Sequence, residues 1–217
     1  MTQTARLHAI IDPLCGWCYA AAPLLAAAAA AGFNITLHAG GMLTGTRCRQ
    51  IDAAWRDYVI PQDLRIAELS GQPFGAAYFD GLLRDTSILL DSAPPSIAML
   101  AVAAMGGDSL AFLHRVQLAH YRDGHCASDK AGLTALAQAQ GLASDSFLAH
   151  YALSAAGLTP HLEASRALLR RLGARGFPAI AMEQANGDLR QLNINRFYGQ
   201  ADAWVAYLET RYAAMHS

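Results

Sequence analysis

Leu7-His8-Ala9-Ile10-Ile11-Asp12-Pro13-Leu14-Cys15-Gly16-Trp17-Cys18-Tyr19, residues 7–19, sets two thiols three residues apart between an apolar run and an alanine-rich stretch. The apolar run predicts a buried strand over 6–12, and the alanine-rich stretch a helix over 17–32 that stops at Gly32 and contains Pro23. Cys15 then falls at a helix N-terminus, where unpaired N–H groups and the helix dipole favour a thiolate. Cys18 lies one turn on, close enough to close a disulfide with it.

Working outward, residues 34–39 alternate like a second strand and end at Gly40-Gly41, which completes a βαβ unit. From about 44 to about 157 the pattern is almost wholly helical. Pro94-Pro95 opens one helix, Asp108, Ser128 and Ser144 are candidate N-caps of three more, and glycines mark the breaks. Thr159-Pro160 begins another helix. Gly176-Phe177-Pro178-Ala179 leads into a strand entered through a proline, Asn186-Gly187 signals a hairpin, and 189–197 continues as the paired strand. An amphipathic helix over 201–214 closes the chain. The order is β-α-β, a helical block, then α-β-β-α. Removal of the block leaves a thioredoxin-like α/β fold, built from residues 1–43 and 158–217, with 44–157 as a large all-helical insertion. That insertion is expected to cover the sheet edge near the CxxC and wall a substrate groove.

Composition narrows the function. With 53% hydrophobic and 15% charged residues among 217, the chain can bury a core and is not a disordered one. Its formal net charge is −1 and it has no basic cluster alternating with aromatics, so no nucleic-acid partner is expected. The longest apolar stretch, 19–31, is broken by Pro23 and too short for a bilayer. As a secretory h-region it would discard the CxxC on cleavage. The expectation is therefore a cytoplasmic protein without a membrane partner, in a compartment where thiols stay mostly reduced. Its oligomeric state is left open.

In this reading Cys15 is the attacking sulfur, and the more buried Cys18 resolves the mixed disulfide. Phe177-Pro178 is the second half of the site. A strand opening on X-Pro lacks a ladder donor, and a cis bond there would turn the backbone beside the CxxC. Phe177 would then offer its main chain to an extended substrate segment. Trp17 is expected to line the substrate surface. Asp12 is a supporting residue that either relays a proton from Cys18 or caps the active-site loop; Gly16 is the other supporting residue. A CxxC can also hold half of a zinc site, but no second CxxC or HxxxH follows, and His125-Cys126 lies far along the chain, so no metal is expected. Cys48, between Arg47 and Arg49, and Cys126 read as single thiols without a role, the flanking arginines being the one feature that would lower the Cys48 pKa.

The run Asp12 to Tyr19, with Ser70-Gly71-Gln72-Pro73-Phe74-Gly75, Tyr121-Arg122-Asp123-Gly124 and Gly176-Phe177-Pro178-Ala179, resembles the DsbA-like family, most closely its FrnE-like branch of dithiol–disulfide oxidoreductases and isomerases. The resemblance covers nearly the whole chain. It implies a thioredoxin fold with a helical insertion, catalytic cysteines at Cys15 and Cys18, and a cis-proline at Pro178. It also implies disulfide- or thiol-containing proteins or small molecules as substrates. No cofactor is implied beyond the redox-active cysteine pair, with glutathione as a candidate co-substrate. Gly16-Trp17 departs from the Pro-His of periplasmic members and offers no cation between the sulfurs. A couple more oxidising than thioredoxin and less so than DsbA is expected. Two alternatives stand beside this reading. Kappa-type glutathione transferases and 2-hydroxychromene-2-carboxylate isomerases share the superfamily, but place a serine where Cys15 stands. A non-catalytic adaptor would use the same groove to hold a partner.

Overall fold

The computed structural model describes residues 6–184 and 186–216. Its main sheet has the order β2-β1-β5-β6, formed by Asn34–Ala39, Arg6–Ile11, Ala179–Glu183 and Leu189–Leu192. β1 pairs parallel with β2 and antiparallel with β5, and β5 pairs antiparallel with β6. β1 lies inside the sheet, and Leu7, Ala9, Ile10 and Ile11 are fully buried, as an apolar run with partners on both sides should be. Helix α1, Gly16–Ala30, makes the crossover from β1 to β2.

Between β2 and α7 (Leu158–Arg171) lies the helical insertion. It holds α2 (Ala53–Ser70), α3 (Ala93–Ala104), α4 (Ser109–Tyr121), α5 (Lys130–Gln138) and α6 (Ser144–Ala156). α8, Ala201–His216, closes the chain. α1 packs against α8 and also against α2 and α4 of the insertion. This explains its composition: a helix covered on several sides is apolar all round, and its alanines let these neighbours approach. The fold is thus the thioredoxin-like one with a helical insertion that the residue pattern implies.

Several local expectations are corrected. α5 is capped by Asp129, whose carboxylate accepts the N–H groups of Ala131 and Gly132. Ser128 instead exchanges hydrogen bonds with the backbone of Asp91. Ser144 is the first residue of α6, with Ala143 before it. The strand expected over 189–197 ends at Leu192, because the Asn193 side chain accepts the N–H of Asn195 and starts a tight turn over Asn195–Phe197. The insertion is not purely helical: β3 (Arg49–Gln50) pairs with β4 (Leu89–Leu90), and Ala77–Gly81 forms a π-helical turn.

Candidate active site

Cys15 is the residue before the first turn of α1. Its backbone is extended (φ −98°, ψ 114°), and its carbonyl accepts the N–H groups of Cys18 and Tyr19 at 2.9 and 3.1 Å. Both motif thiols are free, with Cys15 7% and Cys18 1% exposed. The Cys15 thiol points at the Phe177 carbonyl, Sγ to O 3.7 Å, and the Phe177-Pro178 peptide is cis. The Cys18 sulfur accepts the Asp12 N–H at 3.4 Å. Burial pushes the Cys18 thiol well above its ordinary range, and the hydrogen bond with Cys15 pushes it the same way. Cys18 is thus a protonated thiol beneath Cys15, while Cys15 lines a cavity.

The residues read from the sequence do come together. Trp17 is half-buried and packs on Tyr198 at a ring separation of 5.3 Å. Trp17, Phe177, Pro178, Tyr198 and Arg65 border a shallow depression of about 370 Å³. A second cavity of about 320 Å³ holds Cys15, Gly16 and the other edge of Trp17, and its far wall is α2. The insertion therefore forms one side of the groove.

Asp12 is fully buried, and donors from three segments take both of its carboxyl oxygens. Oδ1 accepts the Leu14 N–H (3.0 Å) and the Ser92 hydroxyl (2.7 Å), and Oδ2 accepts the Met42 N–H (2.6 Å). Burial raises its pKa, and these donors oppose the shift. The carboxylate is a clamp that joins the CxxC loop, the end of β2 and the start of α3.

Sequence reasoning missed a second buried acid. Asp63 of α2 is 5% exposed, and its pKa is raised to about 7 by burial against the opposing hydrogen bond from Tyr78. The Tyr78 O–H donates to Asp63 Oδ2 at 2.8 Å. The other oxygen, Oδ1, lies 2.9 Å from where a Cβ on Gly16 would stand. A signal was present in the sequence: Val59, Asp63, Ile66 and Ser70 share the inward stripe of a helix, so a carboxylate stands in a core position. His120 of α4 also lines this cavity; burial lowers its pKa to about 4.

The other thiols lie elsewhere. The Cys48 pKa is raised by burial first and by Asp91 second, which overrides any lowering by the flanking arginines. Cys126 lines a separate apolar cavity between α4 and α5. Among the described residues no group of three or more His, Cys, Asp or Glu is placed to hold a metal ion, and no helix is long and apolar enough to cross a membrane.

No protein-family model and no curated protein matches the chain. Solved structures do. The chain is 48% identical to the cytosolic disulfide reductase DsbM from Pseudomonas aeruginosa, with a TM-score of 0.88, over 95% of this chain and 98% of that one. The structure of that reductase with GSH matches at 47% identity and a TM-score of 0.87, over the same shares. A 2-hydroxychromene-2-carboxylate isomerase matches at 18% identity and a TM-score of 0.58, covering 98% of this chain and 100% of that one, a likeness of fold alone.

Proposed function

Since the chain belongs to the DsbA-like family of thioredoxin-fold disulfide oxidoreductases, we propose that it reduces disulfides in the cytosol through Cys15 and Cys18, with glutathione as the reductant. Cys15 is the nucleophile and Cys18 the resolving thiol. One observation carries this assignment: Cys15 opens onto a cavity at a helix N-terminus, while Cys18 is buried beneath it with its pKa pushed up.

The steps follow from thiol–disulfide exchange. The Cys15 thiolate attacks a substrate disulfide, a Cys15–substrate bond forms, and the departing sulfur takes the electron pair and then a proton. Cys18 loses its proton and attacks the Cys15 sulfur, which closes the Cys15–Cys18 disulfide and releases the second substrate thiol. The substrate has gained two electrons. Two glutathione thiols then reopen the pair and leave as glutathione disulfide. In this reading the Phe177 carbonyl aligns an extended substrate segment beside Cys15, and Trp17 and Pro178 flank it. The expected poise is compatible with this reductant. Of the range expected, from thioredoxin at about −270 mV to DsbA at about −120 mV, the part above a glutathione pool at about −220 to −260 mV is reduced by that pool.

The test is glutathione-dependent reduction of insulin. Cys15→Ser should abolish it, and Cys18→Ser should accumulate a mixed disulfide on Cys15 visible as added mass. Full activity in Cys15→Ser would sink the assignment.

A further inference from the structure

We propose that Asp63 is the proton donor and acceptor of the Cys15 cavity, protonating the thiolate that a small alkyl disulfide releases there and taking the proton of the thiol that enters. The inference rests on the exchange chemistry proposed above and adds the group that handles its protons.

The geometry singles out this acid. Asp63 and Cys15 line the same cavity, whose volume of about 320 Å³ falls in the range of small-molecule sites. Asp63 Oδ2 is held by Tyr78, while Oδ1 is turned toward Gly16. The missing side chain at Gly16 keeps that oxygen open beside the nucleophile: a Cβ there would come within 2.9 Å of Oδ1 and 2.8 Å of Ile66 Cδ1. Asp12 does not serve, because its oxygens are already taken by three donors from its own surroundings.

The groups facing Asp63 are Tyr78 from the π-helical turn, Cys15 from the start of α1, and His120 and Tyr121 from α4. None is a cation near neutral pH, since burial keeps His120 neutral down to about 4. Among the described residues Asp63 has no ion-pair partner. A carboxyl in that setting, with a pKa of about 7, exchanges protons at working pH.

The Cys15 sulfur bonds to one sulfur of the alkyl disulfide, the S–S bond breaks, and its electron pair leaves on the other sulfur. Asp63 gives its proton to that thiolate and becomes a carboxylate. An incoming thiol gives its proton to the Asp63 carboxylate as its sulfur bonds to the outer sulfur of the mixed disulfide; the bond to Cys15 breaks and its electron pair leaves on Cys15 as a thiolate.

The experiment compares two disulfides reacting with the reduced protein: glutathione disulfide, whose leaving thiolate is basic, and a nitro-substituted aromatic disulfide, whose leaving thiolate needs no proton. Asp63→Asn should slow the first on the order of 100-fold below neutral pH, the lower end of general-acid effects, and the second only a few-fold. The ratio of wild-type to variant rates on glutathione disulfide, in which shared ionisations cancel, should fall toward one as pH rises through about 7. Tyr78→Phe removes a hydrogen bond to the carboxylate and should move upward the midpoint at which, within one protein, the rate on glutathione disulfide falls relative to that on the aromatic disulfide. That second variant keeps the test alive if Asp63→Asn fails to fold. Equal slowing of both disulfides, a flat ratio, or an unmoved midpoint in Tyr78→Phe overturns the role of Asp63. A Cys15→Ser protein that still reacts would instead overturn the exchange reading beneath it.

Discussion

Ser92 lies 80 residues from Asp12 in the chain, yet its hydroxyl completes the clamp beside the CxxC. It donates to Asp12 Oδ1 at 2.7 Å and accepts the Leu43 N–H at 3.2 Å, with all three groups buried. Ser92→Ala strips a donor from a buried carboxylate and orphans a backbone N–H, and each such loss costs about 1–3 kcal/mol. Urea denaturation should therefore place the variant about 2 kcal/mol or more below the parent. The deficit should grow with pH, because the hydroxyl serves the ionised form of Asp12. A variant within roughly 0.5 kcal/mol of the parent would mean that the clamp holds nothing. At this scale the sequence exposed only part of the site. Cys15, Cys18 and the Phe177-Pro178 step announce themselves by spacing and by backbone chemistry. Asp12 was ambiguous between proton relay and cap, because the partners that decide the matter, Met42 and Ser92, are remote in sequence.

The loop after β2 and the loop before β5 meet at Cys15, and a glycine sets how closely. The Phe177 ring lies so near Gly40 that a Cβ there would overlap it, while the Phe177 carbonyl faces the Cys15 sulfur at 3.7 Å. Gly40→Ala must displace the ring of the residue whose carbonyl faces Cys15. Overpacking of this kind costs about 1–3 kcal/mol, and insulin reduction should fall with it. Gly176→Ala is the control: it meets nothing within 4 Å, so stability and rate should hold. Equal behaviour of the two variants would separate the Gly40 contact from function. Elements with a long periodic pattern were legible in advance, as with β1, α1, β2 and α3. The pair β3 and β4 was not, since two residues per strand carry no alternation. The pattern overextends β6 because apolar residues continue past its last paired residue, Leu192, into the turn, where Ile194 and Phe197 stay buried without a ladder.

The whole molecule carries buried titrating groups of opposite sign, and their balance is a property of the fold rather than of any one element. His120 is buried and His38 half-buried, and each is lowered from 6.5 to about 4 by desolvation. They are neutral in the fold, so the stability they represent is present above pH 6.5 and is lost as pH falls toward 4. Asp63 runs the other way. Its folded value of about 7 lies above the ordinary 3.8, so the folded state keeps a proton that the unfolded chain releases, and stability declines as pH rises from about 4 to 7. The fold legible in the CxxC and the strand pattern could not reveal this, because desolvation arises only when α2 and α4 close over α1. Each fully shifted group contributes on the order of 1 kcal/mol per pH unit inside its window, less for the half-exposed His38. Between pH 4 and 6.5 the slopes oppose, and the parent should lose little stability over that range. Asp63→Asn removes one side of the balance. Urea denaturation at pH 8, 6 and 5 should find the variant more stable than the parent at pH 8, where it lacks a buried charge, and falling away from it as pH drops. A variant that tracks the parent at a constant offset across the three pH values would show that Asp63 does not titrate in this range.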